Sequence, residues 1–182
     1  CEVLAHYAPK IAASDALGRL GLQAGRYFVV SAHREENIES ERNFAGLVEV
    51  LNTVAAHYGL PIIVSTHPRT RKRIDATGAQ LDPRVQLLKP LGFSDFVRLQ
   101  KSARATLSDS GTINEESSIL NFRALNLRQA HERPEGMEEA AVMMVGMDPQ
   151  RVLQALAILE SQPVVADGLL RQVADYSMPN VS

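Results

Sequence analysis

Short apolar segments alternate with helical segments along this chain, and the alternation limits the fold more than any other feature of the sequence. The apolar segments are rich in Val, Ile and Leu and contain no charged residue. Strands of this kind are buried on both faces, as in a parallel sheet that is covered by helices on each side. The strands are expected at residues 27–30, 62–64, 85–88, 105–107, 124–127 and 142–145.

Helical patterns occupy the intervals between these strands. Residues 44–58 carry apolar side chains at helical spacing, and Gly59 then ends the helix. Further helices are expected to begin near Ser94, near Gly111 and at Asp148, which precedes a proline as a helix N-cap often does. The sequence therefore predicts an α/β fold, a Rossmann-like parallel sheet with helices on both faces.

Composition excludes several classes of function. The 182 residues carry a net charge of -2 and no long basic run, so we expect no nucleic-acid partner. The single cysteine, Cys1, excludes a disulfide framework and is consistent with a cytoplasmic protein. No apolar run reaches the length of a membrane span, about 18 residues, and Glu2, His6 and Lys10 interrupt any signal peptide at the start of the sequence. We therefore expect no membrane partner.

Ligands of parallel sheets bind beyond the carboxyl ends of the strands, so ligand-binding residues are expected in the loops that follow the strands. The first such loop contains His33 and Arg34, and the second contains His67 and Arg69. His33 can donate to a phosphate or assist a leaving group, although a solvated charge cluster is the alternative. Residues 71–73 fit the wet face of a short helix better than an anion site.

The third and fourth loops suggest a nucleotide. Phe96 can stack on a flat base, although a Phe at a helix start is also a common core anchor. Ser110 and Gly111 precede a helix whose free N–H groups suit a pyrophosphate. Thr112 and Glu115 have capping-box spacing, a structural alternative for Glu115. Glu116 would repel phosphate, so a ribose diol is its natural partner.

The fifth loop places Arg133 before a proline. An arginine held there can bind a phosphate bidentately, with about 1.5–3 kcal/mol for each charge-assisted bond. A surface ion pair with Glu132 or Glu135 is the alternative. His33 and His67 lack the spacing of metal ligands, so we expect no metal.

Four motifs together resemble the non-hydrolysing UDP-N-acetylglucosamine 2-epimerases. The motifs are His-Arg-Glu-Glu-Asn at 33–37, His-Pro-x-x-Arg at 67–71, Asp-Ser-Gly-Thr-Ile-x-Glu-Glu at 109–116 and Glu-Arg-Pro-Glu-Gly at 132–136. Their order matches, and the resemblance runs from Tyr27 to the last helix. The set is specific, whereas no single motif would be.

The resemblance implies the C-terminal half of a GT-B-type two-domain enzyme. Residues 1–26 would be an interdomain linker and first helix, and 27–182 the UDP-binding domain. An N-terminal domain, a final helix and a second subunit in a homodimer would lie outside this chain. The absent N-terminal domain would supply the carboxylates that move protons, so the fragment alone is expected to be inactive.

The resemblance also implies a role for individual residues. The family eliminates UDP across C1–C2 of a UDP-linked amino sugar and adds it back on the opposite face, without a cofactor. A regulatory UDP-sugar site would involve Arg34 and His67. The implied contacts of the substrate are Phe96 at the uracil, Glu116 at the ribose hydroxyls, Ser110, Gly111 and Arg133 at the phosphates, and His33 in catalysis.

Three substitutions separate this chain from the commoner family motifs. Glu35 stands where the second Arg of His-Arg-Arg-Glu-Asn is usual, which puts activation at the regulatory site in question. Thr112 and Asn114 replace Gly and Gln in the fourth motif. These variants resemble the branch that makes capsule or O-antigen polysaccharide sugars such as UDP-N-acetyl-L-fucosamine.

Two other functions remain open at this point. A GT-B glycosyltransferase would use the same nucleotide half but would need an acceptor. A flavodoxin-like interaction module would bind no nucleotide and would leave the set of Ser110, Gly111, Glu116 and Arg133 unexplained.

Overall fold

Six parallel strands form one central sheet in the part of the chain that the structure describes. The computed structural model describes residues 2–128 and 143–161. All six predicted strands are found, and the predicted α/β Rossmann-like fold is confirmed. The strands are β1 Phe28–Ser31, β2 Ile62–Ser65, β3 Val85–Leu88, β4 Ala105–Ser108, β5 Ala124–Asn126 and β6 Met143–Met144. Their order across the sheet is β3-β2-β1-β4-β5-β6.

Helices cover both faces of this sheet. None of the helices in the described ranges is long and apolar enough to span a bilayer. The helices are α1 Glu2–Ala12, α2 Ala16–Leu20, α3 Glu35–Glu39, α4 Glu41–Tyr58, α5 Pro68–Thr77, α6 Phe93–Ser102, α7 Ile113–Leu120 and α8 Pro149–Ser161.

Each central strand feeds two hydrophobic cores because successive side chains point to opposite faces. Phe28 and Val30 of β1 pack in the core beneath α4 and α8. Tyr27 and Val29 pack on the other face, in the core beneath α2 and α6. Burial on both faces explains why the strand sequences are apolar without alternation. The edge strand β3 is only partly buried, and its Gln86 is exposed.

The order of the strands reverses next to β1. The chain runs outward from β1 to β2 and β3, then returns to β4 on the other side of β1. The loops after β1 and β4 therefore leave the sheet in opposite directions and open a crevice between them, the usual ligand position in such sheets. The strand order thus places the first and fourth loops side by side.

A row of small polar side chains ends the four central strands at this edge. Ser31 is in register with Ser65 on one side and Ser108 on the other, and Ser108 is in register with Asn126. All four residues are buried. The hydrophobic core therefore ends at one row of buried hydrogen-bonding side chains, and the loops that follow start from these fixed positions.

The first 26 residues contain helices that pack against α6. Ser14 and Arg19 both donate to the carboxylate of Asp95 in the first turn of α6, at 2.6 and 2.5 Å. Ala16 and Leu22 are buried in the core of that face. The expected domain boundary after residue 26 stays a prediction.

Gly46 lets the end of the sheet approach α4 closely. A Cβ atom at this helical position would lie 2.8 Å from the carbonyl oxygen of Met147 and 2.9 Å from its Cβ. The segment that leads from β6 into α8 therefore needs a glycine beneath it.

We predict that Gly46→Ala destabilises the fold by about 1–3 kcal/mol, because the contacting oxygen belongs to the backbone and cannot swing away. Chemical denaturation of the two proteins measures the difference in the free energy of unfolding. Gly18→Ala in α2 is the matched control, since no atom lies within 4 Å of its added Cβ. A helical Gly→Ala change without a clash stabilises by up to about 1 kcal/mol. Equal stability of Gly46→Ala and the parent protein would contradict the packing described.

Candidate functional site

A buried carboxylate joins the two loops of the crevice. Asp109 follows β4 directly and is 1% exposed. Its Oδ1 accepts the backbone N–H of His33 at 3.0 Å, and its Oδ2 accepts the backbone N–H of Arg34 at 3.0 Å and the side-chain amide of Asn37 at 2.8 Å. Both oxygens thus have donors, which a buried carboxylate requires.

This arrangement decides which helix start can face a ligand. Arg34 and Asn37 belong to the N-cap and first turn of α3, and both donate to Asp109. The start of α3 is therefore directed at a protein anion. The start of α7, which follows β4 through Ser110 and Gly111, lies at the same edge and remains the better place for a ligand anion.

His33 lies where the first loop enters the crevice. Its Nε2 lies 2.7 Å from the hydroxyl of Ser31, and either group can be the donor, depending on the tautomer. The residue is exposed as a whole, yet the loops remove part of the water from its ring. This desolvation lowers the pKa of His33 below 6.5; the charge of Asp109 opposes the shift, and His67 adds to it. The structure therefore favours a neutral imidazole at pH 7.

Hydroxyl groups link Ser110 to Glu116 across the start of α7. Thr112 Oγ1 donates to Glu116 Oε1 at 2.7 Å, since a carboxylate can only accept. Thr112 has one hydroxyl hydrogen, so Ser110 must donate the 3.0 Å bond between the two hydroxyls. Ser110 Oγ also accepts the backbone N–H of Thr112 at 3.2 Å. Glu116 is therefore already positioned to accept from hydroxyl groups.

The capping box that the spacing of Thr112 and Glu115 offered as an alternative role for Glu115 does not form. Thr112 is the N-cap residue of α7, but its side chain makes no capping hydrogen bond. Its hydroxyl is engaged by Glu116 instead. Thr112 has φ -104° and ψ 5°, away from the extended conformation usual for a capping Ser or Thr. The spacing was correct for the motif, but the backbone at the helix start was not.

Arg128 is a residue of this edge that the sequence analysis did not single out. Its guanidinium lies close to Gly111, because Nη1 would be 3.4 Å from a Cβ at that position. Its backbone N–H donates to Asn126 Oδ1 at 2.9 Å, and its carbonyl accepts from Gly146 at 3.1 Å. The signal in the sequence was its place directly after β5, but only the register shows that this arginine lies beside Gly111.

Phe96 is half-buried and packs against the core beneath α2 and α6. It lies in the first turn of α6, after the loop that leaves β3. The neighbouring Phe93 is 45% exposed, with its ring 5.1 Å from that of Tyr7 in an edge arrangement. The structure thus gives Phe96 a packing role, and its contact with a base stays a prediction.

The two residues of the expected regulatory site lie on neighbouring loops. Arg34 forms an ion pair with Glu36 at 2.6 Å. His67 is the N-cap of α5, and its Nδ1 accepts the backbone N–H of Arg69 at 3.2 Å. Glu35, the substituted position of the first motif, pairs with Arg69 at 2.7 Å. Glu35 therefore joins the first loop to the second.

Six residues were predicted for catalysis and UDP binding, and the structure brings four of them together. His33, Ser110, Gly111 and Glu116 lie around the crevice between β1 and β4, whereas Phe96 lies after β3. Arg133 lies outside the described residues. Within residues 2–128 and 143–161, no three His, Cys, Asp or Glu side chains are grouped as metal ligands.

The opposite edge of the sheet carries an open cleft of about 470 Å³. Lys101, Arg104 and Arg123 line it, and Arg104 forms an ion pair with Glu160. Arg104 and Arg123 directly precede β4 and β5, so this cleft lies at the amino ends of the strands. This cleft is therefore a second positively charged surface, at the opposite edge of the sheet from the crevice.

The chain is similar to known proteins of one family. A family model described as UDP-N-acetylglucosamine 2-epimerase matches residues 1–182. A UDP-N-acetylglucosamine 2-epimerase from Methanocaldococcus jannaschii is 32% identical over 137 residues, which are 73% of this chain and 37% of that protein.

Solved structures of such epimerases are similar to this chain as well. The structure of UDP-N-acetylglucosamine 2-epimerase from Rickettsia bellii is 36% identical, with a TM-score of 0.70, over 99% of this chain and 53% of that one. That of the M. jannaschii UDP-GlcNAc 2-epimerase in complex with UDP-GlcNAc and UDP is 28% identical, with a TM-score of 0.71, over 82% of this chain and 43% of that one. The chain thus spans about half the length of such proteins or less.

We predict that the fold loses stability on acidification through His33. Burial lowers the pKa of His33 in the folded chain, whereas the unfolded chain keeps the ordinary value of 6.5. Below pH 6.5 the unfolded state then binds more protons, so the free energy of unfolding falls as pH drops and levels off below the folded pKa. Denaturation curves across this range, and the NMR titration of the His33 ring, measure the effect.

His33→Asn serves as the control, since it removes the titrating ring from both states. The difference between the two stability profiles should be flat above pH 6.5 and slope only below it. A His33 ring that titrates above 6.5 would show that the charge of Asp109 outweighs desolvation, contrary to the prediction.

Proposed function

Since this chain belongs to the UDP-N-acetylglucosamine 2-epimerase family, we propose that it is the UDP-binding half of an isomerase that inverts C2 of a UDP-linked N-acetyl amino sugar. The observation that carries the proposal is the meeting of His33, Ser110, Gly111 and Glu116 at the strand-order reversal. The groups at this crevice match the parts of a nucleoside diphosphate. The start of α7 and the imidazole of His33 suit the diphosphate, and the carboxylate of Glu116 suits the ribose hydroxyls.

The diphosphate is proposed to lie at the start of α7. Gly111 allows close approach of the backbone, and Ser110 offers a hydroxyl once it turns away from Thr112. Arg128 adds positive charge beside Gly111, and Arg133 is proposed to contribute from the same loop. His33 faces the diphosphate from the other side of the crevice.

The ribose is proposed to bind Glu116. Thr112 already supplies this carboxylate with one hydroxyl donor, at 2.7 Å. The two hydroxyls of a ribose are donors of the same kind, so they can replace the Thr112 hydroxyl as partners of the Glu116 carboxylate. Because they are uncharged, they do not change the net charge of the site. Phe96 is the proposed contact of the uracil, on the side of the crevice toward β3.

The proposed reaction is an elimination followed by an addition. The bond between C1 and the diphosphate oxygen breaks while C2 loses its proton, so a double bond forms between C1 and C2. Protonation of C2 from the opposite face and return of UDP to C1 complete the inversion. The leaving diphosphate gains negative charge, which the start of α7, Arg128 and His33 would stabilise. His33 can also donate a proton to it once protonated.

The base that takes the C2 proton is proposed to come from a second half, since relatives are about twice as long as this chain. A glycosyltransferase that uses UDP-sugars would need a similar nucleotide half. The family match over all 182 residues favours the isomerase. The cytoplasmic location and the homodimer stay predictions.

Arg34 and His67 are proposed to face a second UDP-sugar that regulates the enzyme. The pair between Glu35 and Arg69, at 2.7 Å, places a carboxylate and a neutralised arginine between the two loops. A second diphosphate would therefore meet less positive charge there than the commoner motif provides, so we expect weak activation.

Solvent exchange at C2 tests the reaction itself. The protein at the length of its relatives, incubated in D₂O with UDP-N-acetylglucosamine alone, should incorporate deuterium at C2 and form the C2 epimer. The 182-residue chain by itself should bind UDP and form no product. Incorporation that requires an added sugar acceptor would favour a transferase instead.

We predict that Glu116→Ala weakens UDP binding by about tenfold, the equivalent of one hydrogen bond to a charged group. The same change should affect 2′-deoxy-UDP much less, because that ligand lacks one of the proposed donors. Titration calorimetry with both ligands measures the difference.

Glu115→Ala is the matched control, because it removes the same charge from an exposed neighbour in α7. It should leave the affinity for both ligands within about twofold, since exposed charges interact weakly with sites they do not touch. Equal losses for UDP and 2′-deoxy-UDP would contradict the ribose contact.

A further inference from the structure

The side chain of Asp109 links the two loops of the crevice. Its carboxylate accepts three N–H donors at 2.8 to 3.0 Å, two from the first loop and one from the first turn of α3, while its own backbone belongs to the fourth loop. Its backbone N–H also donates to the carbonyl of Ser31 at 3.2 Å. The end of β4 is thereby joined to the end of β1 by four hydrogen bonds.

The carboxylate cannot itself contact a ligand. Asp109 is 1% exposed, and its partners on the ligand side are the backbone of His33 and Arg34. Any effect on a bound diphosphate must therefore pass through these residues. Asn37 extends the connection, since its side-chain oxygen Oδ1 accepts from Nδ2 of Asn43 in α4 at 3.3 Å. The first loop is thus held at its base and along the following helices.

The backbone bond to His33 fixes more than the path of the loop. The amide of His33 points down at Asp109, and its ring nitrogen contacts the Ser31 hydroxyl at 2.7 Å. With both the amide and the ring held, the imidazole has little freedom to leave the crevice. A site whose groups are fixed before the ligand arrives loses less entropy on binding and stabilises charge more effectively.

We propose that Asp109 is the positioning residue of His33, holding the β1–α3 loop against the β4–α7 loop so that the imidazole faces the diphosphate of a bound UDP-sugar. The inference rests on the proposed function for the identity of the ligand. The positioning of the loop can be tested without any ligand.

The central experiment is a double-mutant cycle with UDP-N-acetylglucosamine, whose diphosphate is esterified at both ends and does not titrate near neutral pH. Asp109→Asn keeps the shape of the side chain but replaces one acceptor oxygen with an NH₂ group. The two N–H groups of that amide would then face N–H groups of the protein, with which they cannot form hydrogen bonds. We expect it to weaken binding by about tenfold, the equivalent of one charge-assisted hydrogen bond. In the His33→Asn background the same change should cost no more than about twofold, because coupled residues are not additive.

The pH dependence of binding separates positioning from a general structural effect. A bound diphosphate favours protonated His33, so the affinity of the parent protein should rise as pH falls toward the pKa of the free ring. Removal of the Asp109 charge lowers the pKa of His33, which by itself would only move the rise in affinity to lower pH. Loss of positioning should in addition reduce the size of the rise, so that Asp109→Asn approaches the flat profile of His33→Asn. A variant that binds more weakly by the same factor at every pH, or a cycle in which the two losses add, would overturn the proposal.

Amide hydrogen exchange in the unsubstituted chain covers the case in which Asp109→Asn fails to fold. The amides of His33 and Arg34 lie before α3 and have no helical partner, yet bonds to a buried carboxylate should protect them at least about tenfold against free-chain rates. Exchange at free-chain rates would overturn the proposal whether or not UDP binds. Protection without UDP binding would leave Asp109 in its role and count against the proposed function alone.

Discussion

The bridge from Asp109 to the loop after β1 determines the shape of the carboxyl edge. Reversal of the strand order separates the loops after β1 and β4, and a carboxylate below them draws them together again. Because Asp109 uses the N–H groups at the start of α3, the start of α7 is the wall of the crevice that we propose binds the diphosphate. The strand order opens the crevice, and the buried carboxylate of Asp109 determines which helix start is engaged by the protein itself.

The same edge shows how a hydrophobic sheet changes into a polar site within one residue. Ser31, Ser108 and Asn126 lie in register at the last position of their strands, and each fixes the residue two positions later. Those later residues are His33, Ser110 and Arg128. The site is therefore built on the strand ends, and the rigidity of two hydrophobic cores is transmitted to three separate loops.

The sequence sufficed to predict the six strands, because short apolar runs between helical segments are typical of a covered parallel sheet, and it predicted that four candidate residues meet at one edge, because the carboxyl ends of parallel strands lie together. It did not reveal Asp109 as the bridge or Arg128 as the neighbour of Gly111, since both depend on which strands pair. The alternative role of Glu115 in a capping box is not found, because spacing fixes which side chains can meet, whereas the backbone at Thr112 decides whether they do. Phe96 remained ambiguous because its packing and its proposed stacking use the same ring.

The most direct test of a single UDP site is the change in backbone amide shifts, by ¹H–¹⁵N NMR, when UDP is added to this chain. The shifts should cluster in the loops at residues 31–37 and 108–116, on both walls of the crevice. The cleft at the opposite edge, around Arg104 and Arg123, should stay unchanged although it is also basic. Shifts confined to that cleft, or scattered over several faces, would contradict a UDP site built from these converging loops.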